Sequence, residues 1–281
     1  MNAERQFRPR GFRILPPVVK NLLIINGLFF LATIALSSTV DLADILGLHY
    51  FASEKFKPYQ LITYMFMHGS LTHILFNMFA LWMFGYVLEN VWGPKRFLIY
   101  FLVTGIGASL LHYLIYYFVD ARPVLTTIDQ FLAGPNLESL RAFLDNDDVF
   151  KIVSYDVQNN FEQFRMQYND LILNKPSQAL QLGIDFVEQY RIDYLNAPVV
   201  IGASGAVFGI LLAFGMLFPN SLIYIYFAIP VKAKYFVIFY GAIELYLGFS
   251  DGSSNVAHFA HLGGMIFGFF LIQYWKKRGI S

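Results

Sequence analysis

The sequence predicts an all-α membrane protein: a bundle of six transmembrane helices with a helical insert on the extracytoplasmic side. Three observations carry that prediction. Apolar residues make up 57% of the 281-residue chain and charged residues 14%, with a mean hydropathy of +0.51, well outside the soluble average. Five apolar runs approach the roughly 20 residues that a helix needs to cross a bilayer core, and a sixth, shorter run is required by the loops around it. The clustered basic residues fall in alternate connections, so they lie on one side of a six-span model.

Taken in order, residues 1–17 are a basic tail with Arg5, Arg8, Arg10 and Arg13, ended by Pro16-Pro17, which stop any helix before span one. Span one, Val18–Ser38, lacks a small-residue cleavage site and reads as a span rather than a leader. Residues 39–57 form a compact outer loop. Span two is Ser70–Leu88. After it, Gly93-Pro94 reads as a turn, Trp92 as an interfacial aromatic, and Glu89 as a cap for that turn or a partner of Arg96. Span three is Phe97–Phe118 and span four Val199–Phe218. Leu222–Pro230 is too short to span and is expected in the interface, before Lys232 and Lys234. Span five, Tyr235–Phe249, is the shortest and carries Glu244. Span six, Val256–Tyr274, precedes Lys276, Lys277 and Arg278. The positive-inside rule puts the basic loops and both termini in the cytoplasm. The expectation is therefore a multi-pass protein of a bacterial cytoplasmic membrane, divided into the tail 1–17, spans one to three over 18–118, an insert over 119–198, and spans four to six over 199–281.

The insert departs from the rest in composition, with 12 acidic and six basic residues. Val157, Phe161, Phe164, Tyr168 and Leu171 form one stripe of an amphipathic helix. Asn174-Lys175-Pro176-Ser177 breaks it, and Leu180, Ile184, Val187, Tyr190 and Tyr194 mark a second helix. A shorter helix is expected over Leu137–Leu144. Such a hairpin outside the membrane is either a tolerated insertion or a lid that selects substrate.

Candidate chemistry lies in three places. Span four opens with Gly202-Ala203-Ser204-Gly205, where a serine among small residues is either part of a close-packing face through Gly205 and Gly209 or a nucleophile. Span two opens with His68, His73 and Asn77; His73 and Asn77 share a helix face, and polar groups at that depth are costly and functional by default. Their N–H donors suit a developing oxyanion. A zinc site would need a third ligand, and the His-Glu-x-x-His helix is absent. Span six opens with His258 and His261, and His261, Gly264 and Gly268 lie on one face, in register with the small face of span four. Both spans enter the membrane from the outer side, so His261 stands as the base for Ser204. The chain has no cysteine, which excludes disulfides, thiolate catalysis and cysteine-ligated metals. No cofactor, metal or nucleic-acid signature is found.

Together these residues resemble the rhomboid intramembrane serine proteases: His68, His73 and Asn77 on span two, Glu89-x-x-x-Gly93 after it, Gly202-Ala203-Ser204-Gly205 on span four, and His261-x-x-Gly264-x-x-x-Gly268 on span six. The resemblance implies a nucleophile at Ser204 and a base at His261, a dyad with no aspartate. It implies an oxyanion hole of His73, Asn77 and the Ser204 backbone N–H, and a supporting, hydrogen-bonded role for His68. Phe208 stands where some members stack a tyrosine on the base. Pro58-Tyr59-Gln60 replaces a Trp-Arg pair common in the family's first outer loop, and the insert is longer than a simple connection. The implied partners are the lipid bilayer and a single-span membrane protein substrate, with Tyr235–Phe249 and loop 250–255 as a lateral gate. A catalytically silent relative that holds membrane clients is the competing class, and such a protein is expected to lack Ser204 or His261.

Overall fold

The computed structural model describes residues 12–150, 155–225, 228–250 and 258–279. Arg5, Arg8 and Arg10 of the tail, residues 251–255 of the expected gate loop and the first two residues of expected span six lie outside the described residues. The described chain is mostly helical. Helix α1 (Pro17–Leu36) begins on a proline whose missing N–H belongs to the unbonded first turn. Its Ile24, Leu28, Leu31 and Ile34 are exposed. Glu89 does not cap the turn after span two. Its carboxylate accepts instead from Val18 N (2.9 Å) and Val19 N (2.8 Å). The first amides of a helix lack intrahelical partners, and a negative charge complements that end of the dipole.

The first outer loop is ordered. Asp41 caps α2 (Leu42–Leu46), β1 (Leu48–His49) follows, and α3 (Gln60–Thr63) leads into a tight 3₁₀ turn at Tyr64–Phe66. Helix α4 (Leu71–Trp92) is capped by Ser70, which accepts from His73 N. Gly93, at φ +80°, makes the expected turn, and Pro94 opens α5 (Pro94–Tyr116).

The helix that carries expected span three does not stop near Phe118. The helix widens into a π turn at Tyr117–Ala121 and continues as α6 (Arg122–Ala133), 40 residues from Pro94 to Ala133. Pro123 is the second residue past the widened turn, where the bonding register shifts and a residue without N–H is tolerated. The insert is thus the continuation of a membrane-type helix rather than a loop after it. Helix α7 (Leu137–Leu144) has the expected bounds and a reciprocal Asn136–Ser139 cap. Helices α8 (Tyr155–Leu171) and α9 (Pro176–Asn196) are the expected hairpin. Phe164 of the first stripe stacks at 4.3 Å on Phe186, which lies outside the expected second stripe, and α7 packs Leu140 onto Gly183, where an added Cβ would lie 2.3 Å from it.

β2 (Val199–Val200) pairs antiparallel with β1, Leu48 opposite Val200 and His49 opposite Val199. This bridge ties the first outer loop to the residues just before Ser204. Helix α10 (Ser204–Leu217) follows. The Leu222–Pro230 segment expected in the interface is a hairpin of β3 (Leu222–Ile225) and β4 (Ile229–Lys232); Leu222, Tyr224 and Ile229 are exposed on it. Helices α11 (Ala233–Ser250) and α12 (His258–Lys277) complete the chain. Among the described residues, α1, α4 and the continuous α5–α6 helix are long and apolar enough to cross a membrane, and α10 is a shorter apolar helix.

Helix α10 is the centre of the molecule: Gly205 to Leu211, Ala213 and Gly215 are buried. A Cβ on Gly264 of α12 would fall 1.8 Å from Gly205 O, and one on Gly205 would fall 2.4 Å from Ala108 Cβ on α5. The small-residue face therefore serves two neighbours at once, and the backbones of α10 and α12 are in direct contact.

Candidate active site

Ser204 is the first residue of α10, half-buried, with no side chain capping that helix end. The first intrahelical bond reaches back from Val207 N to Ala203 O. The N–H groups of Ser204 to Ala206 are thus left without intrahelical acceptors, in a position suited to an anion. His261 Nε2 lies 2.9 Å from Ser204 Oγ. The glycine contact between α10 and α12 brings the two together, since Gly205 follows Ser204 and Gly264 is one turn past His261. Phe208 stacks on His261 with ring centroids 4.2 Å apart and planes 4° apart, fixing the plane of the imidazole.

His73, one turn into α4, faces the same point. An added Cβ on Gly202 would lie 2.7 Å from His73 Nε2, and Gly202 takes φ +121°, a conformation that leaves no room for a side chain. Asn77 is buried one turn further along α4, and its Nδ2 donates to His73 O at 3.0 Å. One of its two N–H donors is engaged by its own helix, and the other remains for a ligand. His68 is buried and meets His73 ring to ring, T-shaped at 4.9 Å, not through the hydrogen bond the resemblance implied. Burial first, and then the neighbouring His73, push its pKa down to about 4.

A buried carboxylate lies behind His261. Glu244 Oε2 lies 2.8 Å from His261 Nδ1 and 2.7 Å from His258 Nδ1. His258 and His261 thus share one carboxylate oxygen, each through Nδ1. Sequence reasoning noted Glu244 only as a charge in a short span; a buried carboxylate facing two histidines on the next helix was the signal that could have found it. The three donor atoms lie within 4.8 Å of one another, as in a metal site, although the two short hydrogen bonds already satisfy one carboxylate oxygen.

A helical membrane protein with a serine and two histidines, from three helices, converging at one helix end is what fold and site define. A rhomboid-domain model matches residues 55–126 and 170–278, and the chain belongs to the rhomboid family. The unmatched stretch between those segments lies inside the insert. The chain is 26% identical over 204 residues to RHOMBOID-like protein 12, mitochondrial, of Arabidopsis thaliana, covering 73% of this chain and 42% of that protein. It is 35% identical over 91 residues to an uncharacterised mitochondrial rhomboid protein of Schizosaccharomyces pombe, covering 30% and 23%. The matches thus span less than half the length of either relative. Both relatives are mitochondrial by name, against the bacterial cytoplasmic membrane expected from the sequence; what they share with the chain is a membrane protein family.

Proposed function

We propose that the chain is an intramembrane serine endopeptidase that cleaves single-span membrane proteins near the outer face. The observation that carries this is the 2.9 Å contact between His261 Nε2 and Ser204 Oγ. In this reading six helices cross the membrane, α1, α4, α5, α10, α11 and α12, with both termini cytoplasmic and the α6–α9 insert outside. At 14 residues, α10 is about 21 Å long, shorter than the roughly 30 Å core. Its N-terminus can therefore lie below the outer surface, in a pocket that admits water.

The chemistry follows from the atoms present. Ser204 Oγ attacks the scissile carbonyl carbon as its proton passes to His261 Nε2. The carbonyl oxygen, now anionic, takes hydrogen bonds from the Ser204 backbone N–H, His73 and Asn77. His261 then returns the proton to the leaving amine as the C–N bond breaks, and water, activated by His261, hydrolyses the acyl-enzyme. Substrates that unwind readily near the outer face present a carbonyl at least cost, and exposed α11 is the candidate gate. The test is labelling by a fluorophosphonate in membranes, alongside cleavage of a single-span substrate. Ser204→Ala and His261→Ala should abolish both, while His258→Ala remains reactive at a reduced rate. Retained cleavage in Ser204→Ala would overturn the reading.

A further inference from the structure

We propose that Glu244 is a positioning residue that sets His261 up as the base, with His258 bracing the carboxylate, so that the site works as a line of three groups, Ser204–His261–Glu244. The proposal rests on the protease reading above and adds to it the control of the base.

The imidazole of His261 is contacted on three sides: Ser204 Oγ at one nitrogen, Glu244 Oε2 at the other, and the ring of Phe208 on its face. The stack fixes the plane but leaves the ring free to turn within it. The two edge contacts, 2.9 and 2.8 Å long, remove that freedom. They also choose the tautomer. An ionised carboxylate only accepts hydrogen bonds, so the nitrogen facing it carries the proton. A neutral ring protonated at Nδ1 has its lone pair at Nε2, the atom that must receive the serine proton. When Oγ bonds to the carbonyl carbon and its proton moves to Nε2, the ring becomes an imidazolium. Its Nδ1–H stays in place against Glu244, which is not itself protonated. Breaking the C–N bond then takes the Nε2 proton to the leaving amine and restores the neutral ring.

Burial makes the arrangement demanding. Glu244 is 4% exposed on a helix whose other side is largely apolar surface, and a buried carboxylate is costly unless paired. His258 supplies a second donor to the same oxygen, its ring perpendicular to that of His261. Other groups face the cluster from each neighbouring element: His73 on α4 and His112 on α5 lie close enough to His261 to interact with its charge, and Tyr240 on α11 with that of Glu244. The competing explanation is that Glu244 merely ties α11 to α12.

The experiment uses the full chain reconstituted in vesicles, a fluorophosphonate as probe, and labelling rate against pH. Glu244→Gln should lower the maximal rate by at least about 10²-fold; loss of the tautomer-setting carboxylate in a triad protease reaches about 10⁴-fold. The rising limb of its pH profile should move to lower pH, because the anion that favours the protonated ring is gone. Glu244→Asp, which keeps the charge, should lose rate while holding the limb near its parental position. On the parent itself, ¹⁵N NMR of histidine-labelled protein should show neutral His261 protonated at Nδ1, a measurement that needs no variant to fold. An Nε2-protonated ring, or Glu244→Gln with parental rate and profile, overturns the proposal. So does loss of parental labelling on chelation that added zinc restores, which would give the three side chains to a metal. A parent that takes no label at any pH removes the protease reading, and this inference with it.

Discussion

Gly264→Ala tests the contact on which the site depends. The added methyl would lie 1.8 Å from Gly205 O and 2.7 Å from Gly205 C. Carbon–oxygen contacts close to about 3.3 Å at best, so the helices must separate by roughly 1.5 Å. Both obstructing atoms are backbone and cannot turn aside. Gly205 adjoins Ser204 and Gly264 is one turn from His261, so the separation falls on the 2.9 Å hydrogen bond between them and stretches it past the range in which it exists. A misplacement of about 1 Å typically costs about 10²-fold in rate, and overpacking costs about 1–3 kcal/mol of stability. Gly27→Ala is the control: nothing lies within 4 Å of a Cβ there, and alanine is the better helix former by up to about 1 kcal/mol. Fluorophosphonate labelling rates and thermal unfolding of both variants in vesicles give the comparison. The argument fails if Gly264→Ala labels within a factor of about two of the parent.

His73→Ala and Asn77→Ala should each lower kcat by about 10–10³-fold with little change in KM, as expected when one donor to a developing oxyanion is removed; parental turnover in the double variant would return both residues to packing. Phe208→Leu should slow labelling up to about tenfold, since a ring pair contributes about 0.5–1.5 kcal/mol beyond its burial, whereas Phe208→Tyr should retain the parental rate. Because burial holds the His68 pKa down to about 4, below the unfolded value of 6.5, the unfolded chain binds more protons between those values. The contribution of His68 to stability is complete above about pH 6.5 and is lost as pH falls toward 4. Unfolding temperatures at pH 7 and 4.5 should therefore diverge less in His68→Gln than in the parent, and an equal divergence would count against the assignment.

The candidate site was largely legible because its residues sit at helix beginnings beside glycines. Ser204, His261, Gly205 and Gly264 follow from one register argument, and the structure brings their helices into backbone contact. Glu244 escaped because its partners lie on the next helix, across a loop, and no pattern along α11 points to them. The β1–β2 bridge was invisible for a similar reason: two residues per strand carry no periodicity, and their pairing spans about 150 positions. The insert was read by its stripes, but the continuous helix that leads into it was not. A span boundary is a change in hydropathy, whereas α5 and α6 form one rod that hydrogen bonds carry across that change.

That rod has a mechanical consequence. Forty residues of helix measure about 60 Å, twice the thickness of a hydrocarbon core. If its α5 part crosses the membrane at the tilts of up to about 40° that such helices take, the rod reaches beyond the lipid. The α7–α9 unit is therefore carried on a stiff stem rooted in the bundle, while its other end returns through Asn196, which accepts from Ser53 Oγ at 2.5 Å, to the strand pair just ahead of the serine. The unit is thus tied to the bundle at two places, the π turn and the strand pair that ends four residues before Ser204.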